Sequence, residues 1–259
     1  MTRSFRYLEH DRRDDTITIT LNRPERRNVL SPEMLQELLD AFTDAGESDA
    51  TGVILAANGS VFCAGHDFAD MLDQELDSVR DLFARCSSVM QTMQTIPQPV
   101  IARVHALATG AGCQLVAAAD LAVASNEATF CTPGGKGGLF CTTPMVAVGR
   151  SISRKHALEM AMTGDAIDAN IAAEWGLINR VVDAAQLVSA TDDLMRRVTR
   201  GSATSKSIGK RAFYAQMNLD QPNAYVYASE IMATASQHPD AQEGIRAFIE
   251  KRTPQWTTP

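Results

Sequence analysis

Cysteine is scarce and unpatterned in this chain: five among 259 residues, an odd number, with no C-x-x-C pair. There is no H-E-x-x-H among the five histidines either. A disulfide framework and a zinc site are therefore not expected, and no metal is assigned. The thiols Cys63, Cys86, Cys113, Cys131 and Cys141 read as small buried or free side chains in a reducing compartment. Long apolar runs are missing too. A membrane helix needs about 18 consecutive apolar residues, and the longest candidate, LVAAADLAVA, is broken by Asp120. The leading MTRSFRYLEHDRRDD lacks the apolar core of a secretory signal. Positive charge is in deficit, with Lys and Arg numbering 24 against 31 Asp and Glu, for a net charge of −7. That balance argues against nucleic acid as a partner, since such proteins usually carry a basic face. The expectation from these absences is a cytoplasmic protein with no membrane span.

What is present is ordinary globular composition, 45% hydrophobic and 21% charged. TITITL at 16–21 alternates apolar and polar, as a strand with one buried face does. Ser31-Pro32-Glu33 is a helix start, with a capping hydroxyl, proline in the first turn and an early acid. GVILAA at 52–57 reads as a buried strand stopped by Asn58-Gly59. A long amphipathic helix over about 75–95 is ended by Pro97 and Pro99. A strand at 100–104, a helix from about Cys113 to Ala119 and a strand at 121–124 follow. Strand and helix alternate with short links, which predicts an α/β fold. From Arg150 onward the pattern is mostly helical. The reading is a core over 1–200 and a helical C-terminal extension over 201–259, with no flexible linker between them.

Two glycine turns stand out. ATGAGCQ at 108–114 lies between a strand and a helix but lacks the third glycine of a dinucleotide fingerprint. GGKGG at 134–138 has no G-K-[ST] and is not a phosphate loop. Small residues at such a turn let a ligand approach backbone N–H groups. The first N–H groups of a helix lack internal partners and sit at its positive end. An anion or developing oxyanion suits that place. Tight packing alone would also call for the glycines.

FCAGHDF at 62–68 and VHALATGAGCQLVAAADLAVAS at 104–125 together resemble the crotonase superfamily, the enoyl-CoA hydratase/isomerase family. The resemblance starts at LNRPERRNVLS (21–31) and runs through ALEMAMTGDAIDANIAAEWGLINRVV (157–182) to AFIEKRTPQW (247–256). It implies a crotonase (ClpP-like) α/β spiral of strand–strand–helix repeats with a helical C-terminal trimerisation region. It implies an acyl-CoA thioester as partner, a homotrimer or dimer of trimers, and no cofactor beyond the coenzyme A of the substrate. The thioester oxygen would lie between the backbone N–H groups of His66 and Ala111. Ala64, Asp67, Phe68 and Ala69 would line the coenzyme path with His66. Arg26, Phe140, Phe248 and Lys251 match further substrate-binding positions; for Arg26, a solvated loop charge is an equal alternative.

Two positions depart from a hydratase. Hydration across a double bond needs one group to activate water and another to deliver a proton, and hydratases of this family use two glutamates. Here those positions are Gln114 and Gly134, the latter following Pro133. Gln cannot serve as a base, and glycine has no side chain. Weak or absent hydration is the expectation. Decarboxylation, double-bond isomerisation, thioester hydrolysis and non-catalytic acyl-CoA binding stay open. His66 carries the only imidazole on either turn, suited to proton transfer, or it packs beside the thioester without transferring a proton. Some decarboxylases of the family share A-G-H-D but use a tyrosine where this chain has Phe140. Asp67 reads as a turn-stabilising acid, and Asp70, Thr142 and Thr143 are further polar groups nearby. The glutamine and the missing glutamate, in TGAGCQL and FCTPGGKGGLFCTTPMV, also resemble the enoyl-CoA hydratase domain-containing protein 3 branch of the family.

Overall fold

In a computed structural model that describes residues 4–256, the chain opens with a strand that its pattern does not announce. β1 (Leu8–Arg13) carries LEHDRR, yet it pairs antiparallel with β2 (Thr16–Leu21) along its whole length. It lies at the sheet edge, where charged side chains are tolerated and block further pairing. β2 has the expected alternation, with Ile17, Ile19 and Leu21 buried. α1 (Pro32–Glu47) begins as its sequence predicts. Ser31 Oγ accepts from Met34 N–H at 3.4 Å and donates to Glu33 Oε2 at 2.8 Å.

From β3 onward the chain repeats one unit: a strand in the large sheet, a short strand in a second sheet, then a helix. In the first unit β3 (Gly52–Ala57) leads to a single parallel bridge at Cys63 and then to α2 (Leu76–Thr95). In the second, β4 (Val100–Val104) leads to β5 (Ala108–Thr109) and α3 (Ala111–Ala118). In the third, β6 (Leu121–Ser125) leads to β7 (Thr129–Cys131) and α4 (Pro144–Ser151). The Cys63 bridge partner is Ala108, so the short strands of successive units sit side by side. Strands of two or three residues are below what periodicity can reveal, which is why they escape sequence analysis.

After α5 (Arg154–Thr163) come β8 (Ile167–Asp168), α6 (Ala169–Trp175) and β9 (Arg180–Val182). The half after Arg150 therefore still feeds both sheets, contrary to its mostly helical pattern. The large sheet runs β1-β2-β3-β4-β6-β9, parallel from β2 onward, and the small one β5-β7-β8. α1, α2 and α3 supply the main core on one side, with Phe42, Phe62, Leu38 and Met93 fully buried. Burying each such side chain is worth about 1.5–3 kcal/mol. α7 (Leu187–Thr199) closes the other face through Leu187, Leu194 and Met195 against Ile54, Ile101 and Val123.

α8 (Ala203–Gln216), α9 (Gln221–Ser236) and α10 (Pro239–Glu250) complete the described chain. α8 is tied down by a half-buried polar cluster. Lys210 Nζ meets Asp120 Oδ2 and the carbonyls of Met93 and Gln98, each at 2.7 Å, while Tyr214 donates to Asp120 Oδ1 at 2.8 Å. Every charge in the cluster is paired, as burial requires. Among the described residues no helix is long and apolar enough to cross a membrane.

Candidate active site

The repeat places two turns in contact. Each follows a short strand and precedes a helix: Ala64-Gly65-His66 in the first unit, Thr109-Gly110-Ala111 in the second. Gly65 has φ +83°, and a Cβ there would fall 2.9 Å from Thr109 O and 3.2 Å from Ala111 N. Both the backbone conformation and the space demand glycine. Gly112 is equally constrained, since a Cβ on it would overlap the Cys63 carbonyl. Gly110 takes φ +56° and hands its own N–H to Cys131 O at 2.9 Å, which turns the chain into α3. α3 starts at Ala111 rather than near Cys113, so the Ala111 N–H is the first of the helix. Among the described residues, no turn or loop bond uses the N–H of His66 or of Ala111. The two turns therefore pack against each other at Gly65, with the backbone N–H groups of His66 and Ala111 left out of the turn and loop bonds.

The loop between β2 and α1 holds the first turn in place. Asn28 is fully buried, with Nδ2 donating to the carbonyls of Asn58, Val61 and Phe62 and Oδ1 accepting from Arg23 N–H. Ala64 N–H reaches Arg27 O at 3.0 Å and Leu30 N–H reaches Gly65 O at 2.8 Å. Arg27 and Asn28 adopt φ +53° to achieve this. Asn28 is a positioning residue that motif reading passed over; its signal was an asparagine inside an unperiodic polar loop.

His66 is half-buried against α2, its ring edge-to-face with Phe83 at 5.2 Å. Its Nδ1 lies 3.3 Å from Leu30 O. Nε2 is buried without a partner. Burial pushes the imidazole below its ordinary pKa, with the Leu30 bond opposing more weakly, so the neutral form is favoured. Asp67 caps its own turn through Ala69 N–H at 3.2 Å and pairs with Arg26 at 2.5 Å. The Arg26 bond holds the Asp67 carboxyl below its usual range. Arg26 thus reaches the first turn but is engaged there by Asp67. Asp70 has one buried, unpartnered oxygen, and burial, with Asp67 nearby, raises its pKa.

Gln114 lies on α3 and is 4% exposed, its Oε1 4.0 Å from Cys86 Sγ. Gly134 sits in the tight turn Pro133–Gly137. Its N–H points to Cys141 Sγ at 3.3 Å and its carbonyl accepts from Leu139 N–H at 3.0 Å. A Cβ on Gly134 would overlap Leu139 O and lie 2.8 Å from Cys141 Sγ. Phe140 stands over the same turn, with a ring atom 3.5 Å from where a Gly135 Cβ would be. Ala64 and Ala69 flank the first turn, and the Phe68 side chain projects outward, 71% exposed. Phe248 and Lys251 lie apart, at the exposed end of α10. Among the described residues neither is hydrogen-bonded, ion-paired or ring-stacked to the two turns. The buried thiols Cys63 and Cys86 are pushed up to about 12 by desolvation and stay protonated. Among the described residues no group of three or more His, Cys, Asp or Glu could hold a metal ion.

A profile described as "Enoyl-CoA hydratase/isomerase" matches residues 11–259. The mitochondrial enoyl-CoA hydratase domain-containing protein 3 of Mus musculus is 44% identical over 253 residues, spanning 96% of this chain and 84% of that protein. The crystal structure of the human enoyl-CoA hydratase domain-containing protein 3 superposes with a TM-score of 0.93 at 42% identity, covering 97% of this chain and 100% of that one. A structure titled enoyl-CoA hydratase from Mycobacterium smegmatis gives 0.94 at 43% identity, covering 98% and 100%. The expectation of a cytoplasmic protein is corrected by the mitochondrial name of the mouse relative. It rested on a missing secretory core and a missing span, and neither separates cytosol from mitochondrion. The strand–strand–helix spiral expected from the motifs is the fold of these relatives, and the chain belongs to the enoyl-CoA hydratase/isomerase family.

Proposed function

We propose that this protein processes acyl-CoA thioesters, with the N–H groups of His66 and Ala111 stabilising a thioester enolate and with little capacity for hydration. The observation that supports this reading is the contact between the two turns: Gly65 packs on Thr109 and Ala111, and Gly112 packs on Cys63, so the turn that carries His66 lies against the one that carries Ala111. A backbone oxyanion donor is worth about 3 kcal/mol in transition-state stabilisation. Family membership supports an acyl-CoA substrate. The loss of both carboxylates, at Gln114 and Gly134, supports poor hydration. Ala64, Asp67, Phe68 and Ala69 are read as the coenzyme path, with Phe140 over the acyl end. Phe248 and Lys251 are read, by the family resemblance, as further substrate-binding positions. A homotrimer or dimer of trimers is supported by α8 and α9, which bury no residue within the chain, and by Tyr225, Val226, Met232, Phe248 and Ile249, each more than two-thirds exposed. The relatives' names favour a mitochondrial setting.

The test is binding and turnover across a panel of acyl-CoAs, including crotonyl-CoA hydration followed by ultraviolet absorbance. Tight binding with a hydration rate far below that of two-glutamate relatives is expected. A comparable rate would sink the weak-hydratase reading. Binding without any turnover would favour an acyl-CoA carrier. Gly65→Ala should abolish turnover, because its Cβ would enter the space between the two turns.

A further inference from the structure

α7 covers only part of the outer face of the large sheet, packing on Ile54, Ile101 and Val123. Beside it, over β1 and β2, lies an open cavity of about 800 Å³. Small-ligand sites run to about 300–1,000 Å³. No residue of either glycine turn lines it. Three kinds of surface succeed one another across it. At one end stands Arg103 of β4, half-buried. Among the described residues its guanidinium makes no hydrogen bond and no ion pair within 4 Å. Burial lowers its pKa, with Asp192 opposing and Arg13 adding, yet a guanidinium stays charged. A partly desolvated cation without a partner favours an oxyanion. The middle is apolar, with Ile54 and Ala56 on the floor and Val188 and Met195 on the wall. Thr18 and Thr20 line the floor beside them. At the other end is Glu9, exposed, its carboxylate without a hydrogen bond or ion pair among the described residues. Glu9 stands opposite Thr20, Thr20 opposite Ala56 and Leu55 opposite Ala102, so Glu9 and Arg103 end one cross-strand row. Three strand spacings separate their backbones by about 14 Å, less the reach of two long side chains.

We propose that this cavity is a second ligand site, for a small aliphatic zwitterion whose carboxylate meets Arg103 and whose ammonium meets Glu9. The planar fork of Arg103 matches a carboxylate. The methylenes of the ligand lie over Ile54 and Ala56, and the hydroxyls of Thr18 and Thr20 are donors along the floor. The remaining charges select against other classes. Asp11 is taken by Arg13, and Arg196 by Asp193. The acids left over, Glu9, Asp14, Asp15 and Asp192, are all exposed at the rim. A polyanion would have to pass four carboxylates to reach one guanidinium, and a plain amine would leave that guanidinium unpaired. A ligand of both signs, entering carboxylate first, satisfies both ends. The site stands apart from the acyl-CoA reading, yet its lining leads toward both glycine turns. β4 runs on from Arg103 to Ala108, and His105 Nε2 lies 2.8 Å from Gly59 O, in the turn after β3.

The experiment is titration calorimetry of the full chain with 6-aminohexanoate, and with hexanoate, hexylamine and inorganic phosphate as comparisons. Wild type should bind 6-aminohexanoate with a Kd of about 1 mM or below, and each comparison compound at least about tenfold more weakly. Arg103→Gln should weaken 6-aminohexanoate about 10- to 100-fold, as loss of a hydrogen bond to a charged group does. Glu9→Gln should weaken it about two- to fivefold, as for an exposed ion pair, and leave hexanoate unchanged. Butyryl-CoA affinity should stay within about twofold in both variants, because distant sites act independently. Thr20→Val, expected to cost about two- to tenfold, decides the matter if Arg103→Gln is poorly folded. No saturable binding of 6-aminohexanoate by wild type, or unchanged binding in a folded Arg103→Gln protein, would overturn the proposal. So would phosphate binding as tightly as the zwitterion, which would mark a plain anion site. Competition between 6-aminohexanoate and butyryl-CoA for one site would overturn it too, and leave the acyl-CoA reading standing.

Discussion

Gln114 and Gly134 occupy the two places where a hydratase of this family keeps a carboxylate, and they have lost it in different ways. On α3 the side chain is still there. Gln114 is buried at 4% exposure, is close in shape to glutamate, and keeps its oxygen against Cys86. In the turn after β7 the space itself is gone. Leu139 O and Cys141 Sγ fill the volume that a Gly134 side chain would enter, and both hydrogen-bond partners of Gly134 come from the same loop. One site has changed charge at constant shape; the other has changed backbone packing. Substitution at Gln114 alters an atom, whereas substitution at Gly134 has to reopen a turn. The lesson is that a catalytic position lost to a side-chain swap is recoverable, and one lost to loop closure is not recoverable by a point mutation.

The largest effect should therefore come from Gly134→Glu. Overpacking against backbone is expected near the upper end of about 1–3 kcal/mol, roughly a 6–12 °C fall in Tm for a chain of this size. Adding Gln114→Glu should leave crotonyl-CoA hydration within about tenfold of wild type, although a working acid–base group supplies about 10²–10⁴-fold. Calorimetry and the ultraviolet assay check the two halves. A Gly134→Glu protein as stable as wild type, or a double variant with strong hydration, would show that the turn yields easily and would erase the contrast.

Gln114→Glu alone should be milder. Its carboxylate would be desolvated beside Cys86, which favours the neutral acid and raises the folded-state pKa. The unfolded chain would ionise first as pH rises above about 4.3. The variant should match wild type at pH 4 and fall behind it by about 1–2 kcal/mol at neutral pH. Denaturant titrations at the two pH values measure this. A variant as stable as wild type at neutral pH would mean that the pocket already solvates a charge, and Gln114 would no longer differ from an exposed position.

The contrast also explains what was legible in the chain. β2, α1, β3 and α2 could be read because their periodicity and caps are local. The twin turns could be read because glycine is forced there, by φ +83° at Gly65 and by the Cys63 carbonyl at Gly112. The absence of glutamate at 114 and 134 was visible as letters. That Gly134 is sealed was not, since it depends on Leu139 and Cys141 folding back. Asn28 was missed for the same reason: its partners at Asn58, Val61 and Phe62 are remote in sequence. β1 and the two- or three-residue strands were missed because edge charge and short length hide them. The Leu30 bond that fixes the His66 tautomer also spans distant segments.

His66 supplies the smallest and sharpest test, because it carries the only imidazole on either glycine turn. Burial depresses its folded-state pKa. Above about pH 6.5 the ring is neutral in both folded and unfolded chains, and it contributes no pH dependence. Below that value the unfolded chain takes up a proton that the folded ring resists, so stability falls with decreasing pH until the lower folded pKa is reached. Replacing the ring by an amide in His66→Gln removes this one contribution. The difference in unfolding free energy between variant and wild type should therefore shift in favour of the variant as the pH falls from 7 to 5. A constant difference across that range would mean that the ring is charged or solvated in the folded protein. The first turn would then differ from the sealed turn at Gly134 by its proposed backbone donor alone.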